Sequence, residues 1–255
     1  MGNALTKAAL LDFAIQAVGC AIALKFQTEK FFDATGSLTF IVLILQSLMN
    51  GGTFFPRQVI QSSLVSVWAV RLGLFLFVRV LRDAKDGRFD KVRTNPRLFI
   101  IFWFVQALWV FATLAPTLIL NYKQTDKKLT ARDYVGWTIW GVGMLMESIA
   151  DYQKFTFRSD PSNKDKWIAS GLWSIVRHPN YLGEILSWSG LCLSASSTFT
   201  GWENVAVISP VLVALLLTRV SGIPILERRA LKRWKDNPDY IGYLRNSYRL
   251  VPYIY

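Results

Sequence analysis

Residues 98–120 read LFIIFWFVQALWVFATLAPTLIL, 23 residues without a charged side chain. A helix of about 20 apolar residues crosses the hydrocarbon core of a bilayer, so this run is long enough to span. A second uncharged run of 23, ATGSLTFIVLILQSLMNGGTFFP, covers residues 34–56. Working outward, further apolar stretches give spans at Ala8–Leu24, Leu38–Phe54, Val59–Leu81, Leu98–Leu120, Asp133–Ala150, Tyr181–Thr198 and Asn204–Ile225. The expected fold class is therefore all-α: a polytopic integral membrane helical bundle of about seven transmembrane helices, one domain over residues 1–255. Composition agrees, with 52% hydrophobic and 14% aromatic residues, 18% charged and a mean hydropathy of +0.30. Soluble and disordered chains are excluded. The first run has Lys7 ahead of it but carries Asp12 and Gln16 and lacks a small-x-small cleavage site, so it reads as a span rather than a signal peptide.

The net charge of +12 invites a nucleic-acid reading, and the distribution of the charge removes it. With seven spans, the loops on one side and the C-terminal tail hold 21 Lys/Arg, against 6 on the other side. The positive-inside rule makes the 21 side cytoplasmic, with the C-terminus there and the N-terminus opposite. Cys20 and Cys192 sit inside apolar runs, which excludes a disulfide framework. His178 is the only histidine, so no metal centre is expected, and no Walker loop or G-x-G-x-x-G fingerprint is present.

Polar residues at membrane depth are costly and often functional. Asp12, Gln16, Gln46, Asn50, Arg71, Arg79, Gln106, Glu147 and Glu184 are the candidates here, each equally well explained by an interhelical hydrogen bond or a snorkelling contact. The segment that gathers several together is GLWSIVRHPNYLGE, residues 171–184. A polar Arg-His-Pro-Asn-Tyr run opens directly into a span, with Pro179 suited to the first helical position. A helix N-terminus beside Arg177 is suited to phosphate or carboxylate. Asn180 and Glu184, four apart, continue that polar face downward. The plainer alternative is a capped helix start with Arg177 touching lipid headgroups. Glu147, Asp151 and Arg158 are spaced four and seven apart and line one face if the helix continues past the span. Acids there suit ribose hydroxyls or an adenine amine, and Arg158 with Lys164 and Lys166 suits phosphates; an ion-paired helix end is the alternative. The tail alternates base and aromatic (Arg228, Arg229, Lys232, Arg233, Trp234, Tyr240, Tyr243, Tyr248, Arg249), which fits an interfacial segment on anionic lipid or a lid over a cytoplasmic pocket equally well.

The run Arg177-His178-Pro179-Asn180-Tyr181-Leu182-Gly183-Glu184 resembles the signature of the steroid 5-alpha-reductase superfamily, which includes sterol C=C reductases. The tail from Ser247 to Tyr255 is similar to the C-terminal ends of those enzymes. Trp68, Arg71, Leu72 and Arg79, followed by Asp86-Gly87-Arg88-Phe89, resemble a less characterised branch. The likeness covers residues 59–255 and is strongest over 147–255, the expected cofactor-binding half. It implies an NADPH-dependent reductase acting on the C=C bond of a steroid, sterol or other lipid. On that resemblance Asp151, Arg158, Arg177, His178, Asn180, Tyr181, Glu184 and Arg228 would hold the cofactor, with Glu227 and Tyr243 as looser matches. Glu184, Tyr181 and Asn50 are the catalytic candidates, and Gln46 and Tyr152 are further donors.

The chain also departs from the pattern. Leu76 stands where the steroid enzymes have a carbonyl-polarising Tyr, span two offers Gln46 and Asn50 but no acid, and Glu147 replaces an Asn. A 3-oxo-steroid is thus a poor fit, while the cofactor half is intact. A rival reading is an isoprenylcysteine- or phospholipid-type methyltransferase using S-adenosylmethionine, which shares an Arg-His-Pro-x-Tyr-x-Gly segment; a catalytically silent lipid-binding member is a third. The expected partners are the membrane and a lipid-like substrate, without nucleic acid. The expected location is the endoplasmic reticulum in a eukaryote or the inner membrane in a bacterium.

Overall fold

The computed structural model describes residues 2–83, 89 and 95–253. The Asp86-Gly87-Arg88 part of the span-three motif and Ile254 and Tyr255 of the tail lie outside the described residues. Those described are helical, and their extended pairing is a single bridge between Val176 and Tyr248. They group into two units, residues 1–133 with 195–209, and 134–194 with 210–255.

Unit one holds α1 (Gly2–Lys25), α2 (Phe32–Gly51), α3 (Pro56–Asp83) and α4 (Pro96–Asn121). Local chemistry sets their ends. Gly52 closes α2 in the left-handed region at φ +70, its N–H bonded to Leu48 O. Asn95 caps α4 by accepting from Leu98 N, with Pro96 at the first helical position. Aromatic rings fill the interior: Phe40 meets Trp68 and Trp109 edge-on, each at 5.1 Å.

The polar residues of these spans stitch helices together. Gln106 Nε2 donates to Gln16 Oε1 at 2.9 Å and to Phe32 O at 3.0 Å, and Gln16 Nε2 donates to Thr39 Oγ1 at 3.0 Å. Asn121 Nδ2 donates to Ser47 and Ser62, and Gln61 Nε2 to Thr117. Of the alternatives open for Gln16 and Gln106, the structure therefore shows the interhelical hydrogen bond. At one end of the unit, Arg57 is wholly buried, its Nε 2.7 Å from Asp133 Oδ1, with a second ion pair to Asp126.

Unit two holds α5 (Ala131–Ser159, from Tyr134 onward), a single turn α6 (Leu172–Ile175), α7 (Pro179–Ala195), α8 (Ile208–Leu215, from Pro210 onward), α9 (Ile223–Trp234) and α10 (Pro238–Asn246). Helices α5 and α7 approach backbone to backbone along a stripe of glycines. A Cβ on Gly136 would lie 2.6 Å from Gly190 O, and one on Gly143 would lie 2.5 Å from Gly183 O. Small residues at such a crossing are what membrane helices use to pack closely.

Five helical stretches are long and apolar enough to cross a membrane: Gly2–Lys25, Phe32–Gly51, Pro56–Val80, Pro96–Asn121 and Gly201–Trp234. The expected seven therefore becomes five by length and apolarity among the described residues. Helix α5 falls outside the class on apolarity, its central part 134–150 carrying Glu147 among glycines, Tyr134 and two tryptophans, and α7 is only 17 residues long. The last span is also not one α-helix. It runs from a 3-10 stretch (Gly201–Val207) through α8 into a π-helical turn (Leu216–Val220) before α9.

Candidate functional site

The helix α5 does continue past its apolar part, to Ser159, so Glu147, Asp151 and Arg158 lie along one element. Glu147 and Asp151 are buried and Arg158 is exposed. Asp151 Oδ1 accepts from Asn180 Nδ2 at 3.3 Å, which brings together the two acid-and-amide stripes read from the sequence. Gly183 sits against the Glu147 backbone, placing the α7 stripe beside it. Between the helices, Gly171 takes φ +59 where a side chain would overlap the Gln153 amide, and Gln153 Oε1 accepts from Leu172 N at 3.0 Å to start α6. Trp173 Nε1 donates to Ala150 O, and Lys154 Nζ stands 4.4 Å over its ring.

The tail folds back onto this junction. Tyr248 N donates to Ile175 O and Arg177 N to Tyr248 O, at 2.9 and 2.8 Å. The Arg177 guanidinium then clamps it, donating to Leu244 O and Ser247 O and, through Nε, to Glu227 Oε1 at 3.1 Å. Arg249 reaches the other oxygen of Glu227 at 3.0 Å. His178 Nε2 lies 3.4 Å from Glu227 Oε1. A carboxylate only accepts, so Nε2 carries the proton and a neutral ring leaves Nδ1 as a bare acceptor. That Nδ1 is buried and has no hydrogen-bond partner among the described residues. Tyr181 stacks on the imidazole at 5.7 Å, and Tyr243 donates to Trp173 O at 2.7 Å while burial pushes its phenol up to about 12.

His178 gives a pH test. Burial lowers its pKa from the usual 6.5, only partly opposed by Glu227. As pH falls below about 6.5 the unfolded chain takes up a proton that the folded ring resists, so stability drops toward acid. Wild-type protein should lose more unfolding temperature between about pH 7 and pH 5 than His178→Gln does. Parallel curves would contradict the assignment.

Around this junction lies a cavity of about 280 Å3 whose wall carries six Lys/Arg (Lys154, Arg158, Lys166, Arg177, Arg229, Arg233) and one carboxylate, Glu227. Trp167, Trp234 and Tyr240 also line it as a cluster of rings with centroids 5.0 to 5.7 Å apart. Of the expected cofactor residues, Arg158, Arg177 and His178 line this cavity. Asp151, Asn180, Tyr181 and Glu184 stand on α5 and α7 without lining it, and Tyr181 meets it through His178. Arg228 turns away, its Nε donating to Pro224 O, while its neighbours Arg229 and Arg233 face in. Asn50 and Gln46 belong to unit one, where Asn50 is exposed and Gln46 accepts from Tyr122. Tyr152 is 69% exposed. Sequence reading gave no role to Lys154 or Trp173 and took Arg229 and Arg233 only as part of the tail's alternation of base and aromatic; the spacing of Leu226, Arg229, Ala230 and Arg233 on one face of α9 was the available signal for the cavity wall.

A family model described as a protein of unknown function (DUF1295) matches residues 20–247. A probable O-methyltransferase of Ustilaginoidea virens is 36% identical over 66 residues, 26% of this chain and 23% of that protein. An uncharacterized protein of Schizosaccharomyces pombe is 26% identical over 207 residues, 69% of this chain and 60% of the relative. The chain thus spans less than two thirds of either. No solved structure matches it. With most of its length under that one model, the chain belongs to the DUF1295 family, within the steroid 5-alpha-reductase-like superfamily.

Proposed function

We propose that this protein is a membrane-embedded reductase that takes hydride from NADPH to reduce a conjugated C=C bond of a sterol, isoprenoid or other lipid. The observation that carries the reading is the charge of the cavity, six cations against one acid. A dinucleotide with three phosphates neutralises such a wall. S-adenosylmethionine, which brings a sulfonium cation and no phosphate, does not. The cavity and its neighbour, about 280 and 440 Å3, fall within or near the range of small-molecule sites, roughly 300–1,000 Å3.

In this reading Arg158, Lys166 and Arg229 meet phosphate, and the Asp151–Asn180 pair offers an acceptor and a donor to ribose or amide groups. Arg177 is committed to Glu227 and the tail carbonyls, so it holds the wall in place rather than binding a phosphate itself. The bound cofactor supplies the hydride; the chain's task is to orient it, exclude water and deliver a proton. Glu184 and Tyr181 remain the proposed proton-delivering groups. The proposal also keeps residues 147–255 as the cofactor half and α5 and α7 as two further membrane-embedded helices, their glycine stripe being the supporting feature. The orientation stays C-terminus cytoplasmic, in the endoplasmic reticulum or a bacterial inner membrane.

A methyltransferase reading is favoured by one finding, the 66-residue likeness to a protein named a probable O-methyltransferase. The test is NADPH consumption by reconstituted protein on a panel of conjugated lipid enones and dienes. Arg158→Ala should raise the KM for NADPH about tenfold, the worth of one charge-assisted contact. Turnover that requires S-adenosylmethionine instead would replace the reductase reading.

A further inference from the structure

A second chamber of about 440 Å3 shares Phe157, Arg158, Lys166, Arg233 and Trp234 with the first. Its other wall is the turn from Ser159 to Lys166, which is tied down at several points. Asp160 accepts from Ser162 N at 2.8 Å, Asn163 Nδ2 donates to Phe157 O at 3.1 Å, and Trp234 Nε1 donates to Asp165 O at 2.8 Å. Asp165 sits in the left-handed region at φ +67, and its carboxylate is ion-paired with Arg233. Cations on this turn are therefore presented from a fixed backbone.

The cations of the two chambers differ in what already occupies them. Arg177 is engaged by Glu227, Arg233 by Asp165, and Lys154 by the Trp173 ring. Lys164 and Lys166 are exposed, and neither makes an ion pair or a side-chain hydrogen bond among the described residues. Lys164 and Lys166 lie two residues apart on this tethered turn; Asp165 on the same wall is taken up by Arg233, and the Asp160 carboxylate feels the charge of Lys166 from a distance, so the wall keeps a positive surplus. A phosphomonoester, carrying about −1.5 to −2 charge at neutral pH, is matched to two such point charges.

We propose that Lys164 and Lys166 form the subsite that reads the 2′-phosphate of NADPH, and so set the preference for NADPH over NADH. This rests on the dinucleotide reading above, and assigns a role in it to the outer chamber. The pyrophosphate is left to the inner wall and the shared Arg158. NADH would place a neutral hydroxyl in the outer chamber and leave its positive surplus without a phosphate.

The experiment is titration calorimetry of the full detergent-solubilised chain with NADPH and with NADH, on wild type, Lys164→Ala/Lys166→Ala and Lys164→Arg/Lys166→Arg. Wild type should prefer NADPH, and the alanine pair should cut that preference about tenfold or more, weakening NADPH far more than NADH, with the arginine pair retaining it. Equal binding of the two dinucleotides by wild type would overturn the proposal and leave the dinucleotide reading standing, as would an undiminished preference in the alanine pair. Equal loss of both ligands in the alanine pair would move the lysines to the pyrophosphate and overturn it too. If neither dinucleotide binds wild type, both the subsite and the reductase reading fall.

Discussion

Replacing Arg57 by alanine is expected to cost about 3–5 kcal/mol of folding stability, among the largest effects of any single substitution in this chain. The guanidinium is fully buried and serves two carboxylates, Asp133 and Asp126, and the carbonyls of Lys127 and Lys128 at 3.2 Å each. Asp133 is fully buried as well, and also accepts from Thr130 N and Ser197 Oγ. Removing the cation takes from a fully buried carboxylate the guanidinium that ion-pairs with it, and the loss of that buried pair sets the size of the effect. Lysine should rescue poorly, since one ammonium cannot reproduce the forked set of contacts. Arg57→Ala/Asp133→Ala together should cost less than the sum of the two single changes when unfolding in detergent is followed by circular dichroism. A loss under about 1 kcal/mol for Arg57→Ala would mean that water reaches the site.

The second large effect is expected at Gly190, where alanine should destabilise by about 3 kcal/mol, at the upper end of overpacking costs. Its Cβ would lie against Gly136 O and 2.6 Å from Trp140 N, both backbone atoms of α5 that no rotamer change can move aside. The helices must part, and the Asp151–Asn180 hydrogen bond between them, at 3.3 Å, should part with them. NADPH binding is therefore expected to fall along with stability. Gly141 is the control: it lies on α5, the helix that Gly190 meets, with nothing within 4 Å of an added Cβ, so Gly141→Ala should stabilise by up to about 1 kcal/mol through helix propensity. Equal effects at Gly141 and Gly190 would refute the close crossing of α5 and α7.

Apolar run length was enough to place α1 to α4 from the sequence: uncharged runs of 23 residues stand behind α2 and α4, and only Asp12 interrupts the first span and Arg71 and Arg79 the third. The stripe of Glu147, Asp151 and Arg158 was legible as well, since spacings of four and seven have one helical meaning, and α5 does run on to Ser159. Other features depend on residues far apart in the chain. Glu227 is the sole acid between Arg219 and Lys235, and its spacing says nothing of Arg177 and His178, about 50 positions away, which its carboxylate engages. The tail's alternation of base and aromatic suited either a membrane surface or a lid; backbone bonds from Tyr248 to Ile175 and Arg177 decide for folding back. The π-turn at Leu216–Val220 reads LLTRV, and neither Thr218 nor Arg219 marks a π-turn; Gly222 and Pro224 show only that the helix changes just beyond it.

The charge of the unit-two cavity is the central claim, and ligand-dependent unfolding of detergent-purified protein tests it most directly. NADPH, NADH and S-adenosylmethionine would be compared at equal excess over wild type and Arg158→Ala. A ligand bound only by the native state raises the unfolding temperature, by about 2.7 kcal/mol of stability at a hundredfold excess over Kd. The expected result is stabilisation of wild type by NADPH, reduced in Arg158→Ala, with none from S-adenosylmethionine. Stabilisation by S-adenosylmethionine alone, insensitive to Arg158, would contradict the assignment of the basic cavity to a phosphate-bearing cofactor.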